Sequence, residues 1–277
     1  MAKEMIKFSQ MKFEQLDLKE IELKFNKIIN EFENAKSFEQ QDKVLMKLNK
    51  FSDYLNTNFN IAYAKYTCNT EDEENIKNQE IVDEIEPLIS VFFDKFNKAL
   101  LNAKYRKQLE EKWGSHLFNM IQTSVEIFDE KIVPELQEIN KLSSEYTKLI
   151  SSAKISYKGE IYNISQLGKF TKSTDRQTRK ESALLMSKFF EDNDEKLGEI
   201  YDKLVKTRHT LATKLGYENF VEYGYKSLGR TDYDSNDVKK YRDQIYTDLV
   251  PLTNNSNSLT SVAFKSFFHE IFNPLLS

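Results

Sequence analysis

Residues 204–234 read LVKTRHTLATKLGYENFVEYGYKSLGRTDYD. The apolar periodicity predicts a helix that runs to Leu215, because Gly216 tolerates the left-handed dihedrals that commonly follow a helix end. A second, short helix is predicted over residues 219–228. Gly229 ends it, and a polar turn over residues 230–234 connects it to the next helix. The stretch therefore predicts two helices joined by a tight corner.

The rest of the chain has the same helical character. Only seven Gly and four Pro occur in 277 residues, which favours long helices over a turn-rich β fold. Helices are predicted after Asp17, after Ser37 and after the acidic run at residues 70–74, each with an apolar stripe. These three helices suggest an antiparallel bundle. The expected fold class is all-α, with long antiparallel helices.

Two further predictions concern the middle of the chain. Period-two alternation on both sides of Lys158 and Gly159 predicts one small β-hairpin near residues 154–164. Downstream, Asp175 is expected to begin a single long helix that continues to Leu211. Gly198 lies inside that helix and could bend it.

Charge and composition exclude several classes of protein. The net charge of −4 argues against a nucleic-acid binder that works through a basic surface. The sequence has no apolar run of about 18 residues that would span a membrane, and its start lacks the apolar segment of a secretory signal. The single cysteine, Cys68, cannot form an internal disulfide, so a cytoplasmic location is expected.

Several motifs together carry a resemblance to a known family. They are LGYENF at 215–220, YGY at 223–225 and RTDYD at 230–234, with NKLSSEYTKLI at 140–150 and QLG at 166–168 upstream. With them the chain resembles the oligoendopeptidase F branch of the thimet-oligopeptidase-like zinc metallopeptidases. The resemblance covers residues 7–252 and therefore only the N-terminal part of the family's chain.

The resemblance implies a division of the chain. Residues 1–110 are expected to form an N-terminal helical bundle, and residues 111–180 an oligopeptidase-F-like domain that includes the hairpin. Residues 181–252 correspond to the start of the zinc peptidase domain. Residues 253–277 differ in composition and form a divergent tail outside the resemblance. Enzymes of the family hydrolyse short peptides in the cytoplasm with a zinc-bound water.

The zinc motif of such peptidases is missing from the sequence. H-E-x-x-H places two His on one helix face to bind Zn²⁺, and the Glu acts as general base. The nearest match begins at His269 and Glu270, but Asn273 stands at the second His position and Pro274 follows. We therefore expect no catalytic residue, no metal ligand and no bound zinc in this chain, which would be an inactive truncated product. The alternative is a stand-alone helical peptide-binding or scaffold module.

The resemblance also suggests substrate-binding residues. In the family, short peptides lie in a deep channel between helical walls, and the region around residues 217–246 contributes to one wall. Arg230 and Tyr225 are the candidate substrate-binding residues. The alternative for the aromatic side chains is a core role for most of them. For Arg230 the favoured alternative is a local ion pair with Asp232 or Asp234.

Two isolated residues fit ordinary structural roles. His116 is expected to be a surface or hydrogen-bonded histidine, because a metal site needs several ligands. Cys68 lacks a neighbouring histidine in the sequence, so a nucleophilic role is not expected.

Overall fold

The computed structural model describes residues 6–253. Two compact units divide the chain between Tyr223 and Gly224. The helices are α1 Leu18–Glu33, α2 Phe38–Cys68, α3 Glu73–Leu101, α4 Arg106–Trp113, α5 Ser115–Glu126, α6 Val133–Ser151, α7 Ile164–Leu167, α8 Arg176–Asp192, α9 Asp194–Lys214, α10 Phe220–Ser227 and α11 Ser235–Gln244. The strands are β1 Ile155–Tyr157 and β2 Glu160–Tyr162. The predicted all-α fold class with one small hairpin is confirmed.

The first three helices form the main core of the first unit. The carboxylate of Asp17 accepts hydrogen bonds from the N–H groups of Lys19 and Glu20, and the hydroxyl of Ser37 accepts from Gln40. Both predicted helix starts are therefore confirmed. Short loops make consecutive helices antiparallel neighbours, and α1, α2 and α3 pack against one another. The large side chains that are fully buried in this bundle are Phe25, Phe32, Phe96, Ile28, Leu55, Ile89 and Leu100.

A second layer of helices covers the bundle. α5 and α6 pack on α3, and α9 packs along α6. The α4 helix is tied to α2 by Asp42, which accepts hydrogen bonds from Lys112 at 2.6 Å and from the Trp113 indole at 2.9 Å. α6 is therefore the element that connects the N-terminal bundle to α9.

The predicted β-hairpin is confirmed at its predicted position. Ile155 pairs with Tyr162 and Tyr157 with Glu160 in an antiparallel register. Lys158 and Gly159 both have positive φ, 51° and 84°, as a two-residue type I′ turn requires.

The hairpin is anchored by aromatic packing. The rings of Tyr157 and Tyr162 both lie edge-on against Phe170, at 5.1 and 5.3 Å between centroids. Ala153, Ile155 and Leu167 are buried in the same small cluster. This packing supplies the partner that an isolated hairpin needs for stability.

The expectation of one helix from Asp175 to Leu211 is wrong. Asp175 does cap α8, by accepting a hydrogen bond from the N–H of Thr178. That helix, however, ends at Asp192, and α9 begins at Asp194. Asn193 separates the two helices with φ −116° and ψ 13°. Its side-chain amide donates a hydrogen bond to the Phe189 carbonyl at 2.8 Å. The break therefore lies at Asn193, and Gly198 is inside a regular stretch of α9.

The second unit is described from Gly224 to Thr253. Gly229 has φ 66° and follows the end of α10. Asp234 caps α11 as expected, accepting from the N–H groups of Asn236 and Asp237. α11 continues into a π-helical turn, Ile245–Leu249. Within the described residues of this unit, no side chain of α11 or of the π-helical turn is buried.

Candidate functional site

The corner after α9 is built by a specific set of backbone hydrogen bonds. Gly216 has φ +92°. Its N–H bonds to the Thr213 carbonyl at 3.0 Å, and the N–H of Tyr217 bonds to the Ala212 carbonyl at 3.1 Å. These two bonds form a Schellman motif, which satisfies the last carbonyls of the helix. The motif turns the chain sharply toward α10, as the sequence predicts.

Aromatic residues hold the corner against the rest of the first unit. Tyr223 is 7% exposed and packs with Ile132, Leu211 and Ala212. Its ring lies 5.2 Å from that of Phe220. Burial raises the pKa of the Tyr223 hydroxyl above its usual value, because the phenolate would be poorly solvated.

The expected core role holds for only part of the aromatic set. Tyr223 is buried, and Tyr217 and Phe220 are partly buried beside it. By contrast Tyr233, Tyr241 and Tyr246 are 47%, 65% and 75% exposed. Within the described residues the expected core role is therefore confirmed for Tyr217, Phe220 and Tyr223 and is wrong for the three exposed tyrosines.

Arg230 lies over aromatic rings. Its guanidinium carbon is 4.4 Å from the centroid of the Tyr225 ring and 5.6 Å from that of Tyr233. The favoured local ion pair is wrong: the Asp234 carboxylate caps α11, and Asp232 accepts from the Thr231 hydroxyl at 3.4 Å. The structure thus brings the two candidate residues, Arg230 and Tyr225, into contact.

This arrangement has a defined chemical capacity. A guanidinium stacked on an aromatic face is held in orientation by a cation–π interaction. Its N–H groups can still form the bidentate contact that fits a carboxylate. Arg230 and Tyr225 are both half-buried, and Arg230 forms no ion pair with a described carboxylate. The pair could therefore orient the carboxylate of a bound molecule.

Metal ligands are not assembled in the described part of the chain. Within residues 6–253, no three His, Cys, Asp or Glu side chains converge so that they could hold a metal ion. His116 and His209 are both exposed. The near-match that begins at His269 lies outside the described residues. Residues 6–253 therefore do not fit a zinc centre, and the absence of zinc from the whole chain remains a prediction.

Two features of the surface were not anticipated from the sequence. Cys68 is exposed at the end of α2. An acidic groove lies between α3 and α6, and none of its carboxylates was singled out from the sequence. The signal in the sequence is acidic residues that recur at three- and four-residue spacing on α3.

No helix among the described residues is long and apolar enough to cross a membrane.

Comparisons with known proteins agree with these features. Residues 8–128 match the model of the Peptidase M3 N-terminal domain. A solved structure of a protein assigned as oligoendopeptidase F is 37% identical over 91% of this chain, with a TM-score of 0.87. PZ peptidase A, solved with an inhibitor, is 36% identical over 96% of the chain, with a TM-score of 0.86. A comparison with curated proteins gave no match.

A third solved structure matches the chain with similar identity, coverage and TM-score. It is an assigned oligoendopeptidase F from Bacillus anthracis, 34% identical over 89% of this chain, with a TM-score of 0.86. The chain covers 44%, 46% and 45% of the length of these three solved chains. It thus spans less than half of each. The chain therefore belongs with the M3 peptidases of the oligoendopeptidase F type, as a counterpart of their N-terminal part.

Proposed function

We propose that the chain is the N-terminal part of a zinc metallo-oligopeptidase that hydrolyses peptide bonds in short peptides in the cytoplasm. The observation that supports this most strongly is the match over 91% of the chain to an assigned oligoendopeptidase F, at 37% identity. In this proposal residues 181–252 begin the peptidase domain. Zinc is bound by a segment that follows them, and the 277-residue chain is inactive alone.

The distribution of exposed apolar side chains supports the need for a further segment. Among the described residues, eleven of the twenty exposed large hydrophobic side chains lie after residue 183. In the first unit these include Tyr201 and Val205, which share one face of α9. In the second unit they include Leu249 and Leu252. Such a concentration of apolar surface is typical of a region that another part of a protein covers.

Arg230 is proposed to bind a carboxylate of the peptide substrate. The contact with Tyr225 fixes the guanidinium and leaves its donors without a described acidic partner. A residue that binds substrate through charged hydrogen bonds contributes about 1.5–3 kcal/mol. Its removal should therefore lower kcat/KM by about 10- to 100-fold.

The test compares the chain alone with a chimera. The chain is fused to the C-terminal part of the Bacillus anthracis relative, and hydrolysis of an internally quenched peptide is measured. We expect zinc-dependent activity from the chimera and none from the chain alone. Arg230→Ala should raise KM, whereas Arg242→Ala, which removes an exposed arginine of α11, should leave KM unchanged.

Other results would contradict the proposal. Chelator-sensitive hydrolysis by the chain alone would show that the missing motif is not needed. A folded, monomeric chain that binds short peptides, together with an inactive chimera, would instead favour the stand-alone peptide-binding module.

A further inference from the structure

A groove of about 640 Å³ runs between α3 and α6, within the first unit. Its walls are the faces of these two helices, and Tyr66 of α2 also lines it. The volume is within the range of sites that bind small molecules, about 300–1,000 Å³. The groove does not include Arg230 or Tyr225.

A chain of hydrogen bonds forms the floor of this α3–α6 groove. The Tyr66 hydroxyl donates to the Ser144 carbonyl at 2.8 Å. The Ser144 hydroxyl donates to one oxygen of Asp83 at 2.6 Å, and the Gln79 amide donates to the other at 2.7 Å. The Asp83 carboxylate is therefore held in one orientation, which is how a preorganised binding group is built.

The side-chain oxygen of Gln79, at the floor of the groove, accepts no hydrogen bond from the described residues. The residue is 6% exposed, and its Oε1 has no hydrogen-bond partner. Rotating the amide would not solve this, because Oε1 would then face the Asp83 carboxylate and Nε2 would lose its acceptor. Buried acceptors are nearly always paired in native proteins. The orphaned oxygen therefore points to a donor that a bound molecule supplies.

The charge of the groove favours a cation. Five carboxylates line it, from Glu80, Asp83, Glu84, Glu138 and Glu145, against two lysines, Lys141 and Lys148. Neither lysine has an ion-pair partner among residues 6–253. The lining therefore has three more carboxylates than lysines, and neither lysine holds a carboxylate of the groove in an ion pair.

Two groups at the floor of the groove have raised pKa values. Burial, and then the neighbouring Glu80, raise the pKa of Asp83 above its usual value. Burial and the nearby carboxylates of Asp83, Glu80 and Glu145 raise the pKa of Tyr66 to about 12. Burial is the largest cause of both shifts, and at Asp83 the hydrogen bonds from Ser144 and Gln79 oppose it.

The carboxylates are too dispersed to chelate a metal ion, since no three of them converge among the described residues. An organic cation with several N–H donors fits better. A primary ammonium group has three donors and no acceptor, so it matches the Gln79 oxygen and the Asp83 carboxylate together. We propose that the α3–α6 groove binds the primary ammonium group of an alkylamine, either a free polyamine or a lysine side chain.

Calorimetric titration of the 277-residue chain tests this proposal. The probes are cadaverine and Nα-acetyl-lysine methylamide, with tetramethylammonium chloride as a cation that has no N–H donor. We expect saturable binding of one cadaverine per chain and no saturable binding of tetramethylammonium. Comparable binding of the lysine derivative would identify a lysine side chain as the source of the ammonium group; its failure to bind would identify the free polyamine.

Two variants change the groove, and a third serves as the control. Asp83→Asn should weaken cadaverine binding by about tenfold or more, because a charged hydrogen bond is lost. The double variant Glu80→Gln/Glu84→Gln changes only exposed carboxylates of the groove and should weaken binding without affecting folding. Glu22→Gln, on the exposed face of α1, removes one negative charge, as Asp83→Asn does, and should have no effect.

The proposal is overturned if neither amine binds, or if tetramethylammonium binds as well as cadaverine. It is also overturned if Glu22→Gln weakens binding as much as Asp83→Asn does. The result is independent of the peptidase proposal, because the measurement uses no peptide hydrolysis.

Discussion

At the scale of single residues, Asp42 shows how a buried charge is accommodated. The residue is 5% exposed and accepts hydrogen bonds from Lys112 and Trp113. Burial alone would raise the pKa of Asp42, but these hydrogen bonds and the charge of Lys112 hold it below its usual value. A buried carboxylate of this kind contributes to stability only while it is ionised.

A pH-dependent stability follows from this lowered pKa. The contribution of Asp42 is complete above the unfolded pKa of about 3.9 and is lost as the pH falls through the lower folded pKa. We expect Asp42→Asn to cost about 1.5–3 kcal/mol at neutral pH. The cost should shrink as the pH falls below about 4.

Urea unfolding monitored by circular dichroism at several pH values measures this cost. Asp53→Asn, at an exposed position on the same helix, should have little effect at any pH. A cost for Asp42→Asn that stays constant down to pH values well below 4 would show that the ionised carboxylate is not stabilising.

Sequence reasoning identified Arg230 and Tyr225 separately but not the contact between them. Two aspartates follow Arg230 closely, so an ion pair was the natural expectation. The backbone assigns Asp234 to the N-cap of α11 instead, and the guanidinium then lies on Tyr225. Which of several nearby partners a long side chain takes depends on dihedral angles that the sequence does not specify.

At the scale of elements, two glycines of the same region have opposite roles. Gly216 ends α9 with φ +92°, whereas Gly198 lies inside α9, and no atom lies within 4 Å of a Cβ added at either position. Gly216→Ala should therefore destabilise by about 1–2 kcal/mol through backbone strain. Gly198→Ala should stabilise by about 0.5–1 kcal/mol through helix propensity.

Thermal unfolding of these two variants tests the opposite roles of the two glycines, because each variant adds the same methyl group. Opposite shifts of Tm are expected. A lowered Tm for Gly198→Ala would indicate that α9 bends at residue 198, as the sequence had allowed.

Elements with strong local signals were predictable, and one boundary was not. Asp17, Ser37 and the turn residues Lys158 and Gly159 each bring a capping or dihedral preference that acts locally, and the structure has the expected elements there. The break at Asn193 is only one residue long and contains neither Gly nor Pro. The acidic pair Asp194 and Glu195 in the first turn of α9 was the available signal for a new helix start.

At the scale of the whole chain, burial is unevenly distributed. Among the described residues, only four of the 35 buried hydrophobic residues lie after residue 180. They are Ile200, Leu211, Ala212 and Tyr223. The hydrophobic residues of α1, α2 and α3 supply most of the rest. Because local stability follows the density of buried apolar contacts, the N-terminal bundle should be the most stable part of the molecule.

Hydrogen exchange followed by mass spectrometry tests this expectation on the chain alone. Amides in the centre of α3 should exchange slowest, and those of α11, which has no buried side chain, at least about tenfold faster. In the chimera with the C-terminal part of the Bacillus anthracis relative, exchange in α11 should slow while α3 stays unchanged, because the added segment covers the exposed apolar side chains. Strong protection of α11 in the chain alone would contradict this, since it would mean that the second unit is stable without a covering segment.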